Sequence, residues 1–155
     1  VCITYNYSKQ QEEILSHETH PDLNCIDAIH MSTCIPLFFE NFKYKDNIYI
    51  DGAFSNSFPI NLLHEDDKAL AINVSKMFIT TKPDQKITSY IYNLLCLIVV
   101  NNVKYNVKKH SNPNTKIINI VGKDISTNGL HGNITDILNI FSYGYNYTKT
   151  IYNET

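Results

Sequence analysis

The residues with the clearest chemical potential are Asp51 and Gly52, which directly follow the Tyr-Ile end of a short predicted strand. In open α/β sheets, reactive groups lie beyond the carboxyl ends of the strands, so the Asp51 carboxylate is expected at such an edge. Gly52 permits a sharp turn, and its missing Cβ leaves room for another group to approach. The same dipeptide also marks ordinary turns, so a purely structural turn is the competing interpretation.

Histidines offer further candidates, and their spacing favours structural roles. His17 and His20 stand in the segment Ser-His-Glu-Thr-His, whereas zinc-binding helices use His-Glu-x-x-His, and no third ligand is evident. We therefore predict a surface loop there and no metal site. His30 falls on a predicted helix, and nothing in the sequence places it beside Asp51 to complete a triad, so we predict a helix-surface residue.

A nucleophilic serine of the usual hydrolase type is missing from the sequence. Such a serine lies in a Gly-x-Ser-x-Gly turn, whose strained backbone exposes the hydroxyl group. Flanking glycines at these positions are absent from all of the serines considered: Ser32, Ser55, Ser57, Ser75 and Ser126. Chemistry that pairs a carboxylate with such a serine would need the serine from outside these 155 residues.

The charge composition argues against one large class of partner. Charged residues make up 18% of the chain, the formal net charge is −2, and all 13 cationic residues are lysines. This composition provides no polybasic surface, so we predict no nucleic-acid partner. The abundance of Ile, Asn, Lys and Tyr is typical of AT-rich coding, as in some large DNA viruses or protists.

The start of the chain and its apolar runs bear on location. The chain begins at Val1 with a predicted strand and lacks the features of a signal peptide, and we expect it to be cut from a longer protein. Its longest apolar run, Leu94 to Val100, is far shorter than the about 20 residues that cross a bilayer. These features favour a soluble, cytoplasmic protein.

The four cysteines are scattered and form no Cys-x-x-Cys pair. Each has apolar neighbours, which predicts buried free thiols rather than disulfides or metal ligands and favours a reducing compartment: Cys2, Cys25, Cys34 and Cys96.

Hydrophobic periodicity predicts the elements that must position Asp51. Strands are predicted at 1–7, 12–15, 47–50, 68–75 and 116–121. The strand at 68–75 is nearly continuous in apolar residues, as a sheet covered on both faces requires. An aromatic turn is predicted at 37–42.

Helices are predicted between these strands. The first is capped by Asn24 or Asp22 and ends before Pro36, and Pro59 suits the first turn of a second, short helix. A long helix spans 84–108 with an apolar side that should be core, and two helices at 135–141 and 143–153 close the chain. The apolar side consists of Ile87, Ile91, Leu94, Leu95, Ile98 and Val99. Alternation of strands and helices predicts an α/β sandwich with a largely parallel sheet.

Two segments around Asp51 resemble the patatin family. The chain reads I-D-A-I-H-M-S-T-C-I-P-L-F-F from Ile26 and, after a spacer, Y-I-D-G-A-F-S-N-S-F-P-I. The family's helix reads, in outline, A-x-x-A-S-x-A-x-P-x-x-F, and a D-G-G/A loop and a later proline follow it. The helix and turn are matched by Ala28, Ser32, Pro36 and Phe39, and the later loop and its continuation by Asp51, Gly52, Ala53, Asn56 and Pro59.

Further segments extend the resemblance over nearly the whole chain. The opening strand stands where the family has I-x-A-T-N, K-A-L-A-I-N-V-S follows at the expected place, and F-S-Y-G-Y-N-Y-T resembles the family's terminal helix. Three residues depart from the pattern: Met31 and Cys34 replace small residues, and Ala53 replaces the commoner second glycine. We expect these changes to be tolerated in packing.

The resemblance implies a fold and a partner. It implies a three-layer α/β sandwich around a largely parallel sheet that is incomplete at its N-terminal side. Residues 1–155 would then be the C-terminal portion of a patatin-like acyl hydrolase domain. The family's serine motif and glycine-rich oxyanion loop come upstream of these segments, so the missing N-terminal half of the same domain is the expected partner.

The resemblance also implies an activity, the hydrolysis of ester bonds in membrane glycerolipids by a Ser-Asp dyad. Asp51 would accept the serine proton and return it to the leaving alcohol through an acyl-enzyme. No metal or organic cofactor is required, and contact with the membrane would be peripheral. Because the nucleophile is missing, we predict that the chain alone is inactive.

Two alternatives remain open. The missing serine motif suggests a non-catalytic, lipid- or partner-binding patatin-like module. The other alternative is an α/β unit unrelated to lipids, with Asp51 in an ordinary turn. Tyr49, Phe54 and Phe58 flank Asp51 and could contact acyl chains, although plain core packing is the favoured interpretation.

Overall fold

The computed structural model describes residues 1–76, 86–122 and 133–153. These residues divide into two units. The first comprises 1–64 and 86–111, and the second comprises 65–76, 112–122 and 133–153. Both units combine strands with helices, so the predicted α/β class is confirmed.

The first unit is built on a four-stranded sheet in the order β2-β1-β4-β3. Its strands are β1 (Cys2–Asn6), β2 (Gln11–Leu15), β3 (Phe42–Tyr44) and β4 (Asn47–Asp51). All neighbouring strands are antiparallel, and the register of β1 with β4 pairs Thr4 with Asp51. The candidate aspartate therefore ends a strand that pairs with the first strand of the chain.

The hairpin between β3 and β4 differs from the prediction of an aromatic turn at 37–42 followed by a single strand. Its turn consists of Lys45 and Asp46, with φ angles of 45° and 62°. Two successive positive φ angles define the hairpin turn whose twist matches that of the flanking strands. Asn-Gly is the usual sequence for this turn, so Lys-Asp gave no clear signal for β3.

Helix α1 (Cys25–Thr33) packs on the sheet of the first unit. Asn24 caps it as predicted, because its Oδ1 accepts a hydrogen bond from the Ile26 amide at 2.8 Å. Met31 is fully buried and forms a core cluster with Leu15 and Tyr49. This cluster joins α1 to β2 and β4.

Two helices and a 3₁₀ turn complete the first unit. Helix α2 (Ala53–Asn56) begins directly after Gly52, and the 3₁₀ turn (Ile60–Leu62) follows Pro59, one position later than predicted for that proline. Helix α3 (Ile87–His110) matches the predicted long helix, whose first two predicted residues lie outside the described ones.

The prediction that the apolar side of α3 is core is wrong. Four of its six residues are exposed, namely Ile87, Ile91, Leu94 and Ile98. The buried residue of α3 is instead Asn106, whose amide makes hydrogen bonds to the segment after Asp51. Polar contacts near its C-terminal end therefore attach this helix to the first unit.

The second unit contains the parallel pair β5 (Ala69–Lys76) and β6 (Thr115–Gly122) and helix α4 (Ile134–Asn153). Helix α4 runs unbroken through Gly144, where two helices were predicted. The strand predicted to be covered on both faces is instead open, because Leu70, Ile72 and Val74 are all exposed.

A largely parallel sheet was predicted, and among the strands that the structure describes only β5 and β6 are paired in parallel. The larger sheet of the first unit is antiparallel because its neighbouring strands β1 and β2, and β3 and β4, are joined by short turns, which cannot connect parallel strands. A parallel pair needs a long crossover, and β5 and β6 are separated by α3 in the sequence.

The predictions about the cysteines and about membrane-spanning segments can also be compared with the structure. All four cysteines are free, as predicted, but only Cys34 is buried, while Cys25 is exposed at the start of α1. The long helices within the described ranges are not apolar enough over a sufficient length to cross a membrane.

Candidate functional site

The Asp51 carboxylate is half-buried at the end of β4. Its Oδ1 accepts a hydrogen bond of 2.8 Å from the Ala53 amide, and the Asp51 amide donates to the Cys34 carbonyl oxygen at 3.0 Å. Among the residues that the structure describes, no cation pairs with Asp51, and its Oδ2 accepts no hydrogen bond. One oxygen is thus held while the other remains available.

The surroundings change the proton affinity of this carboxylate. Burial raises the pKa of Asp51 above its ordinary value of 3.8, and the hydrogen bond from the Ala53 amide offsets part of that rise. No buried side-chain oxygen in the described part of the chain lacks a partner, so Oδ2 keeps access to solvent. A carboxylate with raised proton affinity and one accessible oxygen can accept a proton from a neighbouring hydroxyl group.

Gly52 lies against the backbone of β1. A Cβ at this position would be 2.2 Å from the Ile3 carbonyl oxygen, 2.4 Å from its carbon and 2.9 Å from the Thr4 nitrogen. Its φ of −66° is one that any residue adopts, so close approach rather than backbone freedom requires glycine here. The group that uses the room left by the missing Cβ is the Ile3–Thr4 peptide.

Ser32 and Thr4 fasten α1, β1 and β4 together beside Asp51. The Ser32 hydroxyl donates to the Ile3 carbonyl oxygen at 2.7 Å. Thr4 is fully buried, and its Oγ1 lies 3.0 Å from the carbonyl oxygens of both Met31 and Ile50. Ser32 therefore has a structural contact at the peptide that Gly52 touches, and Thr4 is a residue that the sequence interpretation did not single out.

Pro36 and the residues after it line a groove of about 540 Å³, together with side chains of the sheet. Its apolar lining includes Tyr7, Leu37, Phe39, Ile48 and Ile50. Cys34, just before Pro36, is buried, and its Sγ donates to the Glu40 carbonyl oxygen at 2.7 Å. The predicted signature residues Pro36 and Phe39 thus lie in a groove that Ile50, the neighbour of Asp51, also lines.

Asn56 is the centre of a buried amide network rather than a surface loop residue. Its Nδ2 donates to Asn61 Oδ1 at 3.0 Å and to Glu12 Oε1 at 3.3 Å, and its Oδ1 accepts from Asn106 Nδ2 at 2.7 Å. Pro59 is exposed and precedes the 3₁₀ turn. Of these two predicted supporting residues, only Asn56 is linked to the rest of the site by side-chain hydrogen bonds.

The sequence interpretation missed two asparagines of α3. Asn102 Nδ2 donates to the Phe54 carbonyl oxygen at 2.9 Å, and Asn106 Nδ2 donates to the Phe58 carbonyl oxygen at 3.0 Å. Asparagines four residues apart share one face of a helix, which is the signal that could have found them. In so Asn-rich a chain, that spacing did not stand out.

Glu13, a second half-buried carboxylate of this unit, has hydrogen-bond partners on both of its oxygens. Glu13 Oε1 accepts from Asn6 at 2.9 Å, Oε2 accepts from the Tyr49 hydroxyl at 3.2 Å, and Lys9 Nζ lies 3.6 Å away. Burial alone would raise the pKa of Glu13, but these partners lower it below its ordinary value. Burial, the Glu13 charge and their hydrogen bond raise the pKa of Tyr49 to about 12.

The remaining candidates take structural positions. His30 is exposed and its ring packs 4.9 Å from that of Phe42, while His20 Nε2 lies 3.9 Å from Glu13 Oε2. Within the described ranges, no three His, Cys, Asp or Glu side chains form a group that could hold a metal ion. Tyr49 and Phe58 are buried, in agreement with core packing. Ser126 lies outside the described residues.

The segment that contains Asp51 is similar to known proteins. Residues 1–64 match the model of the Patatin-like phospholipase family, so the resemblance is confirmed over the segment that contains Asp51. This segment is also similar to a viral protein, the "Probable lipid hydrolase 463L" of Invertebrate iridescent virus 6. The two are 37% identical over 62 residues, which are 40% of this chain and 21% of that protein.

Proposed function

We propose that the chain is the C-terminal portion of a patatin-like acyl hydrolase domain and supplies the general base, Asp51, of a Ser-Asp dyad. The observation that carries the proposal is the state of the Asp51 carboxylate within the family-matched segment. It is half-buried, Oδ1 is held by the Ala53 amide, and Oδ2 has no partner among the described residues. The similarity to a viral lipid hydrolase supports a lipid ester as substrate.

In the proposed reaction, a serine hydroxyl from the N-terminal half of the domain attacks the carbonyl carbon of a glycerolipid ester. Asp51 Oδ2 takes the serine proton and passes it to the departing alcohol, which leaves an acyl-serine. Water then attacks the acyl-serine and gives a proton to Asp51, and Asp51 returns that proton to the serine oxygen as the fatty acid leaves, so that the serine hydroxyl and the carboxylate are both restored. The raised proton affinity of Asp51 favours its acceptance of a proton from the serine hydroxyl and, later, from water.

The proposal includes the fold of the intact domain. The two described units would form part of a three-layer sandwich around a largely parallel sheet, completed by the N-terminal half. That half would contribute the nucleophilic serine and the oxyanion donors. The chain by itself would then release no fatty acid by this route, and the intact protein would meet its substrate through peripheral contact with a membrane.

The test compares the chain alone with the protein extended by its contiguous upstream reading frame. Fatty-acid release from glycerophospholipid vesicles is the measurement. We expect activity only in the longer protein, and we expect Asp51→Asn to lower turnover by about 10⁴-fold, as loss of a catalytic-triad aspartate does elsewhere. Asp46→Asn is the matched control, because it removes the same charge from an exposed turn.

Two outcomes would contradict the proposal in different ways. Undiminished turnover in Asp51→Asn would remove Asp51 from the role of base. Vesicle binding by the longer protein without any ester hydrolysis would favour the non-catalytic lipid-binding module instead.

A further inference from the structure

Two asparagines of α3 contact the segment that follows Asp51. Asn102 and Asn106 are four residues apart, so their side chains project from the same face of the helix. Both donate to backbone carbonyl oxygens that are also four residues apart, those of Phe54 and Phe58. Helix α3 is thus hydrogen-bonded to the chain on both sides of Asn56, at two points one helical turn apart.

The contact made by Asn106 is the stronger of the two, because the Asn106 side chain is buried and its amide donates to two acceptors. Asn106 is 8% exposed, and its Nδ2 donates to Asn56 Oδ1 at 2.7 Å and to the Phe58 carbonyl oxygen at 3.0 Å. Asn56, itself 6% exposed, is fixed further by Asn61 and Glu12. Removal of the Asn106 amide would leave the Asn56 Oδ1 without its buried donor, which costs more than the loss of an exposed hydrogen bond.

Further hydrogen bonds connect Asn56 to the Asp51 carboxylate. The Asn56 and Ser55 amides donate to the Gly52 carbonyl oxygen at 2.8 Å and 3.0 Å, so α2 is hydrogen-bonded directly to Gly52. The first residue of α2 is Ala53, whose amide holds Asp51 Oδ1. A helix of four residues is far too short to be stable by itself, so α2 depends on outside contacts for its position.

We propose that Asn102 and Asn106 are positioning residues of the Asp51 site, which hold α2 so that the Ala53 amide orients the Asp51 carboxylate. Both residues lie outside the family-matched segment 1–64. The catalytic meaning of this positioning rests on the proposed function, but the positioning itself can be measured in the chain without any turnover. The competing role is a purely structural one, in which the asparagines only attach α3 to the unit.

The test uses the 155-residue chain with Asn106→Ala and Asn102→Ala as separate variants. Amide hydrogen exchange of Ala53 and the carboxyl ¹³C titration of Asp51 are the readouts. We expect Ala53 exchange to accelerate by about tenfold, the change that loss of one hydrogen bond produces. We also expect the titration of Asp51 to change, because a loosened α2 alters both the burial that raises the pKa of Asp51 and the Ala53 hydrogen bond that lowers it.

Two controls separate local positioning from general loss of stability. Asn101→Ala removes the same side chain from an exposed position next to Asn102. Leu15→Ala opens a cavity in the core cluster, so it destabilises the unit without touching the asparagines. Positioning requires that Ala53 exchange and the Asp51 titration change in the two test variants and in neither control after correction for global stability.

The opposite result overturns the proposal. If Ala53 exchange accelerates only in step with the rest of the unit, as in Leu15→Ala, or not at all, the asparagines do not position the site. Should Asn106→Ala fail to fold, Asn102→Ala decides, because Asn102 is only half-buried and makes a single hydrogen bond among the described residues.

Turnover in the longer protein distinguishes this proposal from the proposed function. If Asp51 is the base, the two asparagine variants should lower kcat by about tenfold, with little change in KM, and move the lower limb of the pH profile in the same direction as the Asp51 titration. If Asp51→Asn leaves turnover intact, the proposed function fails, whereas the exchange experiment still decides whether the asparagines position Asp51.

Discussion

The first unit buries side chains around Asp51, whereas the second leaves most of its apolar side chains open. Buried residues of the first unit come from strands, helices and the loop after Asp51, and they include Thr4, Leu15, Met31, Tyr49 and Asn56. In the second unit, Ile118 is the buried residue among the side chains that the structure describes. Its strand β5 exposes three apolar residues, and most of the large apolar residues of α4 are also exposed.

The difference follows the family match. Residues 1–64, which match the family, supply all but one of the buried residues in the first unit, and that one is Asn106. Of the motif residues, Gly52 lies where a Cβ would clash with β1, and Ser32 and Asn56 each make side-chain hydrogen bonds within the unit. The recognisable part of the sequence is therefore the part whose side chains are fixed by close packing and hydrogen bonds.

The largest expected effect contrasts two glycines. Gly52→Ala would place a Cβ 2.2 Å from the Ile3 carbonyl oxygen, so strand β1 or β4 must shift, at a cost of about 3 kcal/mol or more. Gly144→Ala meets nothing within 4 Å and should stabilise α4 by about 1 kcal/mol. Denaturant unfolding, with hydrogen exchange to assign each change to its unit, measures both. Equal effects would mean that Gly52 does not lie against β1.

A smaller contrast compares a buried apolar residue of the first unit, Met31, with an exposed apolar residue of the second, Ile72. Met31→Ala removes a fully buried side chain from the cluster with Leu15 and Tyr49 and should cost about 2–5 kcal/mol. Ile72→Ala changes a side chain that is 53% exposed and should cost about 1 kcal/mol or less. The same unfolding measurements apply. A large loss in Ile72→Ala would show that the open face of β5 is covered in solution.

The smallest expected effect concerns the charge of Asp51 and the pH. Because the folded-state pKa lies above the ordinary value of 3.8, the folded protein binds the Asp51 proton more tightly than the unfolded chain does. Stability is therefore lost as the pH rises from that value through the folded-state pKa. Asp51→Asn stays neutral and should be more stable than the natural chain near neutral pH, with no advantage below pH 3.8.

Thermal unfolding across this pH range measures the difference between the two proteins. Asp46→Asn, in the exposed hairpin turn, is the control and should not reproduce it. If Asp51→Asn is no more stable than the natural chain near neutral pH, then water rather than protein surrounds the carboxylate.

Local sequence signals predicted the elements that depend on local chemistry. Either Asn24 or Asp22 was expected to cap α1, and Asn24 is the one that does so. Strands β1 and β4 were expected near their observed positions because their residues alternate or lead into Asp-Gly. The pairing of β1 with β4 was not predictable, because nothing local records which strand lies beside which. The contact between Gly52 and Ile3 follows from that pairing and was equally hidden.

Errors arose where tertiary contacts or unusual turns override local preference. Two helices were predicted at 135–141 and 143–153, but α4 continues through Ser142 and Gly144, and a single glycine costs a helix only about 1 kcal/mol. The apolar stripe of α3 suggested a core helix, yet its attachment uses Asn102 and Asn106. In the site itself, the resemblance supplied Asp51, Gly52 and Ser32, and the amide network of Asn56 emerged only from coordinates.

The hydrogen bonds that hold together the unit around Asp51 join widely separated stretches of the chain. Ser32 bonds a partner 29 residues away, Thr4 one that is 46 away, and Asn106 one that is 50 away. Each such closure must overcome the entropy of a long loop before its contact contributes. A short synthetic peptide around Asp51 should therefore not reproduce the site, and a nascent polypeptide should acquire it only after α3 has been synthesised.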